Sequence, residues 1–575
     1  MIRRQKSLSI AITGSGGSGV VTAGSILLEA MALAGYYGLM SRSAGPQIRG
    51  GESAVMLRFG DQEVNTPGDF FDVLLAIDWG KFARFADEIP LDGDSIVLND
   101  SSQNQLPEVV SRQGVRSIEV PLKETTGELK GGRPNMVGLG VLASMHGLSS
   151  KIMAAAIERV LGHKGERIIE TSLSCLERGM ALADTSAPLL TEGWLSCNET
   201  RWSLTGNEAC GLGALRAGVR FVAAYPITPA SDMLEWLSPR LEHLGGVLLQ
   251  AEDELAAINM TIGASFGGVP ALTATSGPGL SLMVEGIGLA IASETPLVVV
   301  DVMRGGPSTG IPTKSEQADL NLALYGVHGD APHMVLAPLD IKDCVFTTQW
   351  AVCLAERLQS VAIVLSDQSL GQTRAILNTP EFTSMSCRRK TTELKVDNYL
   401  RYQLTPDGVS PMTVPGITGG MYTADGLEHG ERGTPSSMAE DHTKQLTKRR
   451  SKLQNFEYGK QWSEIEGEGE IALITWGSCT GVVREAAQRL QKLGYSTRTI
   501  AVRLIAPLQV KALNQTLTGC ERVFIVEQNS GRQFYHYLKA QDAIPPGSLS
   551  FARPGPLPIR PGELVSFIST EITNG

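Results

Sequence analysis

Between residues 206 and 320, four short apolar runs alternate with three helical stretches, and this alternation constrains the fold more than any other feature. The runs are RFVAAY, GGVLLQA, VPALTAT and PLVVVDVM, each rich in Val, Leu and Ala and bounded by turn residues. Between them the pattern predicts helices over about 229–241, 252–266 and 279–292. Strands that alternate with helices form βαβ units, and runs that are apolar throughout suit a parallel sheet buried on both faces. The fold class is therefore α/β.

In an open parallel sheet, ligands bind beyond the carboxyl ends of the strands. There the chain sets Thr228 and Pro229 in YPITPAS, three acids at Glu252, Asp253 and Glu254, Ser276 and Gly277 in TSGPG, and Arg304 ahead of GGP. Helix caps favour some of the same residue types, because a side-chain oxygen satisfies free N–H groups. Capping is thus the competing reading for Ser276 and for two of the three acids. Arg304 has no such alternative: a guanidinium at a strand end is placed to hold a carboxylate or phosphate. Downstream, Thr309, Thr313 and Lys314 offer polar groups in a Gly- and Pro-rich loop, with a solvated loop as the competing reading.

Taken together, YPITPAS, EDELAAIN, TSGPGLSLMVEGIGLA and RGGPSTG resemble the alpha subunit of 2-oxoacid:ferredoxin oxidoreductases, nearest to the 2-oxoglutarate type with the gamma domain fused in front. The resemblance spans nearly the whole chain. It implies a multi-domain α/β protein: a Rossmann-like gamma domain over 1–185, a linker over 186–203, a pyrimidine-binding (thiamine diphosphate) domain over 204–375, a connector over 376–468 and a transketolase C-terminal-like domain over 469–575.

Composition fits. At about 150 residues per domain, 575 residues make three or four domains. Hydrophobic residues at 42% and charged residues at 19% allow sizeable cores. A net charge of -10 argues against nucleic acid or an anionic membrane as a partner. The opening MIRRQKSLSIAITGSGG breaks at its glycines too early for a leader, and no apolar stretch is long enough to span a bilayer, so the chain reads as cytoplasmic. The eight cysteines form no CxxC pair, which predicts free thiols and no metal in this chain.

Residues 7–13 read as a strand running into GSGGSG and a helix over about 21–36. This satisfies GxGxxG at Gly14, Gly16 and Gly19, with Gly17 between, and such glycines let a phosphate approach a helix N-terminus. An NAD site needs an acid about 20 residues further on; LMSRS offers Arg42 instead. A ligand with an extra phosphate near the ribose, coenzyme A or NADP, stays open, as does tight helix–strand packing with no ligand. The GPQIRGG turn is similar to the gamma domain's GPEMRGG, with Gln47 in place of the acid. Residues 375–468 are rich in Thr, Pro, Gly and charge, and read as an ordered arm across an interface. Within them Lys448–Arg450 (KRR) reads as a solvated helix face. In the last domain, Glu527, Asn529 and Arg532 stand at a strand end in an architectural role.

A 2-oxo acid loses CO2 only if the electrons left behind have a sink, which thiamine diphosphate supplies. Its activation needs a carboxyl on the pyrimidine ring, best placed in a dry site. Spacing does not choose among the three acids. The resemblance assigns the pyrimidine contact to Glu254, puts Thr228, Pro229, Ser276 and Gly277 near the cofactor, and sets Arg304 on the substrate carboxylate with Thr313 and Thr228 nearby. The GDG…NN diphosphate segment of thiamine enzymes has no counterpart here. The resemblance therefore implies half an active site, completed by a beta subunit that brings the diphosphate segment, Mg2+ and an iron–sulfur cluster. It further implies a dimer of alpha–beta heterodimers, ferredoxin as electron partner, CoA as co-substrate near Gly14, Gly16, Gly17, Gly19 and Arg42, and a reversible reaction that serves carbon fixation, in the reductive TCA cycle, when run backwards. Pyruvate or another 2-oxo acid is the alternative substrate. An NADP-binding enzyme and a non-catalytic scaffold are the alternatives of other classes.

Overall fold

The structure, a computed structural model, describes residues 7–44, 52–80, 82–103, 105–127, 129–183, 191, 193–196 and 200–574. The GPQIRGG turn, with Gln47 and Arg49, lies outside the described residues. The chain forms two compact units. The first comprises Met1–Leu204, Thr373–Thr379 and Arg560–Gly562; the second comprises Thr205–Gln372, Pro380–Ile559 and Glu563–Gly575.

The first unit is built on a mixed eight-stranded sheet. In order across the sheet, its strands are Arg116–Val120, Ile96–Asp100, Val73–Ala76, Ser7–Ser15, Glu52–Gly60, Tyr37–Ala44, Arg374–Asn378 and Arg201–Thr205. Ser7–Ser15 pairs parallel with Val73–Ala76 and antiparallel with Glu52–Gly60. Its buried residues pack against the Val20–Leu33 helix, whose Ala23, Ile26, Leu27 and Ala30 are fully buried. Two strands fall where the sequence reads as linker or connector. Arg201–Thr205 and Arg374–Asn378 are short and carry no clear alternation, so neighbouring strands rather than local pattern fix them. The Arg201 guanidinium sits 3.6 Å over the Tyr37 ring, a cation–π contact.

The second unit holds two sheets. The larger runs Leu504–Ala506, Met334–Leu336, Val361–Asp367, Leu297–Met303, Ala271–Thr275, Phe221–Ala224 and Val247–Gln250. All its pairings are parallel except that of Leu504–Ala506 with Met334–Leu336. Leu297–Met303 and Val361–Asp367 are buried at every residue, as continuous apolar runs predict, whereas Val247–Gln250, at the edge of the sheet with a neighbour on one side only, is largely exposed and departs from that expectation. The smaller sheet runs Ser463–Glu466, Thr497–Val502, Ile471–Thr475, Arg522–Glu527 and Leu549–Ala552. The apolar run RTIAVRLI falls across two strands, Thr497–Val502 and Leu504–Ala506: Arg503 separates them, bound to Asp343 at 2.8 Å, and each joins a different sheet.

The connector is ordered, and its helix Ala439–Gln454 overturns one expectation. Lys448 and Arg449 are buried, not solvated. Lys448 and Lys452 both bind the buried Glu294 carboxylate, and Arg449 pairs with Glu428 at 2.8 Å. A basic run on a polar helix carries no mark of the partner carboxylates, of which Glu294 lies far off in sequence. Cys353 and Cys387, expected as thiols, form a disulfide between the Asp343–Leu358 helix and the connector. Glu527 is architectural, as the sequence suggests: it accepts from the amides of Phe534 (2.8 Å) and Tyr535 (3.0 Å) at the start of the Gln533–Ala540 helix.

Candidate active site

Parallel pairing brings the carboxyl ends of Phe221–Ala224, Val247–Gln250, Ala271–Thr275 and Leu297–Met303 to one edge of the larger sheet. The three acids after Val247–Gln250 take different places there. Asp253 is the N-cap of the Glu254–Phe266 helix and accepts from the Ala256 amide at 2.7 Å. Glu252 is exposed. Glu254, the first helical residue, is only 7% exposed. It reaches across the start of the Gly277–Ala292 helix: a Cβ on Gly279 would stand 2.9 Å from Glu254 Oε1 and 2.0 Å from Thr275 Oγ1. Gly279 is thus the space in which Glu254 lies. Gly279→Ala should cost about 1–3 kcal/mol through overpacking and displace Glu254; thermal unfolding and turnover of the assembled enzyme check this.

Ser276 is the N-cap of the Gly277–Ala292 helix, yet its hydroxyl makes no capping bond and is buried without a partner. Thr228 is exposed and precedes a cis Thr228–Pro229 peptide. Its carbonyl accepts from Arg304 Nη1 at 2.5 Å, while the Pro229 carbonyl accepts from Asn207 Nδ2 at 2.9 Å. Arg304 is 6% exposed, its Nε has no partner, and burial draws its pKa below the ordinary range. A buried guanidinium with an unused N–H is a receptor for an anion.

Arg304 lines a cavity of about 400 Å³ together with Gly277, Pro278, Ser281, Thr309 and Asp319. Of the residues the sequence singles out, Arg304, Gly277 and Thr309 meet there. Thr228 joins through its bond to Arg304, whereas Glu254, Ser276 and Thr313 do not line the cavity. Thr313 is half-buried in the loop beyond. Sequence reasoning missed Asp319, Asn207 and Gly279. Only the TSGPG turn signalled the last, as a place of close backbone approach. Large apolar side chains stand around these strand ends: Tyr225, Leu249, Leu255, Met260 and Leu282 are 40–50% exposed.

In the first unit, the Gly-rich turn meets an acid. Ser15 donates its amide to Asp78 Oδ2 and its hydroxyl to Asp78 Oδ1, each at 2.8 Å. A carboxylate therefore stands where a phosphate would seek the amides. Gly19 (φ 84°) packs tightly, since a Cβ would lie 2.4 Å from Asn135 Nδ2. Gly16, Gly17 and Arg42 are exposed. Among the described residues, no group of three or more His, Cys, Asp or Glu could hold a metal ion, and no helix is long and apolar enough to cross a membrane.

The parallel sheet and its polar carboxyl-end edge lie within a thiamine-diphosphate-binding domain, as the family comparison shows. Residues 212–448 match the family model described as pyruvate flavodoxin/ferredoxin oxidoreductase, thiamine diP-binding, and residues 9–182 match pyruvate ferredoxin/flavodoxin oxidoreductase. Among solved structures, the chain is similar to 2-oxoglutarate:ferredoxin oxidoreductase from Magnetococcus marinus, which has 2-oxoglutarate, coenzyme A and succinyl-CoA bound. The two are 36% identical with a TM-score of 0.90, over 99% of this chain and 100% of that one. It is 31% identical to a 2-oxoacid:ferredoxin oxidoreductase subunit alpha from Sulfolobus sp, over 91% of this chain and 90% of the relative. It is 30% identical to 2-oxoglutarate oxidoreductase subunit KorA of Mycobacterium tuberculosis, over 92% and 86%. The chain belongs to the 2-oxoacid:ferredoxin oxidoreductase family, and as the sequence motifs suggested, its relatives are the alpha subunits.

Proposed function

We propose that the chain is the alpha subunit of a thiamine diphosphate-dependent 2-oxoglutarate:ferredoxin oxidoreductase. Its reaction converts 2-oxoglutarate, CoA and oxidised ferredoxin to succinyl-CoA, CO2 and reduced ferredoxin, reversibly. The observation that carries this reading is Glu254: an acid only 7% exposed at the first helical position, beyond a strand end edged by exposed apolar side chains. Such a group fits the pyrimidine of the coenzyme and fits no cap or ion pair.

When bound, thiamine diphosphate supplies the electron sink for the carbon left by CO2. Glu254 would hydrogen-bond the pyrimidine ring of the coenzyme, with Pro229, Ser276 and Gly277 beside it. Arg304, tied to the Thr228 carbonyl, holds a substrate carboxylate through the N–H groups it has left, and Thr313 assists. A beta subunit covers Tyr225, Leu249, Leu255, Met260 and Leu282 and brings the diphosphate segment, Mg2+ and the iron–sulfur cluster. The assembly is a dimer of alpha–beta heterodimers in the cytoplasm. CoA meets the first unit at Gly14, Gly16, Gly17, Gly19 and Arg42, with the Ser15 amide already taken by Asp78. The domain boundaries inferred from the sequence serve this division of labour: 1–185 for CoA, 204–375 for the coenzyme, 376–468 as an arm and 469–575 as support.

Co-expression with the beta subunit tests the reading. The purified complex should contain thiamine diphosphate and reduce ferredoxin with 2-oxoglutarate in a CoA-dependent way. A complex without thiamine, or one that turns over pyruvate in preference, would sink it.

A further inference from the structure

The cavity that Arg304 lines has a second charged wall. Asp319, just ahead of the Leu320–Tyr325 helix, lines it as well. Behind it, Asp301 is fully buried inside the apolar strand Leu297–Met303. Both Asp301 carboxyl oxygens and Asp319 Oδ2 are buried with no donor among the described residues, and the two carboxyl groups face each other. Two ionised carboxylates so placed repel; a single proton between them makes a hydrogen bond instead. Gly277 makes room for the pair, since a Cβ there would stand 2.6 Å from both Asp319 oxygens. Burial, reinforced by the charge of Asp319, pushes the Asp301 carboxyl well above the ordinary range. Burial also lifts Asp319, to about 6. Asp301 on the strand, Arg304 at its end and Glu316 in the loop face Asp319; Arg304 opposes the rise and Glu316 adds to it.

We infer that Asp301 and Asp319 form a hydrogen-bonded acid pair whose outer member, Asp319, sets how strongly the Arg304 cavity holds an anionic substrate. The inference rests on the reading of Arg304 as the group that binds the 2-oxo acid carboxylate. Asp301 keeps its proton, so Asp319 is the member that titrates under working conditions. Below its pKa the pair is neutral and Arg304 faces the substrate with its full charge. Above it, Asp319 offsets that charge. The carboxylates of a 2-oxo acid stay ionised throughout, so binding weakens as pH rises.

The test uses the assembled complex. The KM for 2-oxoglutarate of the unmodified enzyme should rise about tenfold between about pH 5 and pH 7.5. With Asp319→Asn it should be low and flat over that range, with kcat changed much less. A flat profile in the unmodified enzyme, or the same slope in both, overturns the inference. Difference infrared spectra of the unmodified complex against Asp301→Asn at neutral pH give a readout independent of turnover. One protonated-carboxyl band should vanish, and its absence from the unmodified complex would overturn the pair. Arg304→Ala separates the two readings: an unchanged KM in that variant sinks the carboxylate role of Arg304 itself, whereas a raised KM beside an unaltered Asp319→Asn slope sinks the acid pair alone.

Discussion

Glu254→Gln is expected to lower turnover of the assembled enzyme by at least about 100-fold while assembly and unfolding temperature stay near those of the unmodified protein. Gln keeps the size and shape of Glu in the space that Gly279 leaves open. It removes only the acid function. A carboxylate on a side chain only 7% exposed is costly to desolvate, and the fold keeps it at the first helical position, where the N-terminal partial charge favours an anion. The neighbouring acid supplies the control. Asp253→Asn alters a capping bond and nothing else at this edge, so it should change stability by at most about 1 kcal/mol and leave turnover within about twofold. Steady-state ferredoxin reduction, with size-exclusion and thiamine analysis of the same samples, checks both. Equal turnover in Glu254→Gln and the unmodified enzyme would remove Glu254 from the mechanism.

Arg304→Ala is expected to reduce kcat/KM for the 2-oxo acid about 100-fold or more, mostly through KM, because a desolvated charged hydrogen bond to the substrate disappears. Part of the loss comes from the chain itself. Arg304 Nη1 holds the Thr228 carbonyl at 2.5 Å, so the YPITPAS turn loses a tether. Arg304→Lys separates the two contributions. It keeps the charge but cannot grip a carbonyl and a carboxylate in one planar fork, so its KM should fall between the other two. Measurement of KM for 2-oxoglutarate and for CoA in the same preparations completes the test: the CoA value should remain unchanged.

The larger sheet was legible because its strands are continuous apolar runs set between cappable helix starts. The strand carboxyl ends followed from that, and with them the edge where Glu254, Ser276, Gly277 and Arg304 stand. The resemblance singles out Glu254; the spacing of three adjacent acids carries no such distinction, since it is the cap geometry that commits Asp253. Asp301 was hidden because one acid within PLVVVDVM does not disturb a strand pattern, and its partner lies beyond a turn-rich loop. The buried Lys448 and Lys452 were hidden for a similar reason: Glu294 and the connector helix are remote in sequence, and a lysine-rich helix reads as wet until its counter-charge is located. The strands Arg201–Thr205 and Arg374–Asn378 owe their conformation to neighbours rather than to their own composition.

The three-residue strand Leu504–Ala506 leaves its own sheet to close the flank of Met334–Leu336. A shortened gene ending before residue 500 would therefore strip the coenzyme-type sheet of its cover and bare a row of backbone amides and carbonyls, ready to recruit a stranger. Expression of that piece should yield inclusion bodies rather than a tractable miniature, so any dissection of this polypeptide has to carry the carboxyl-terminal portion along.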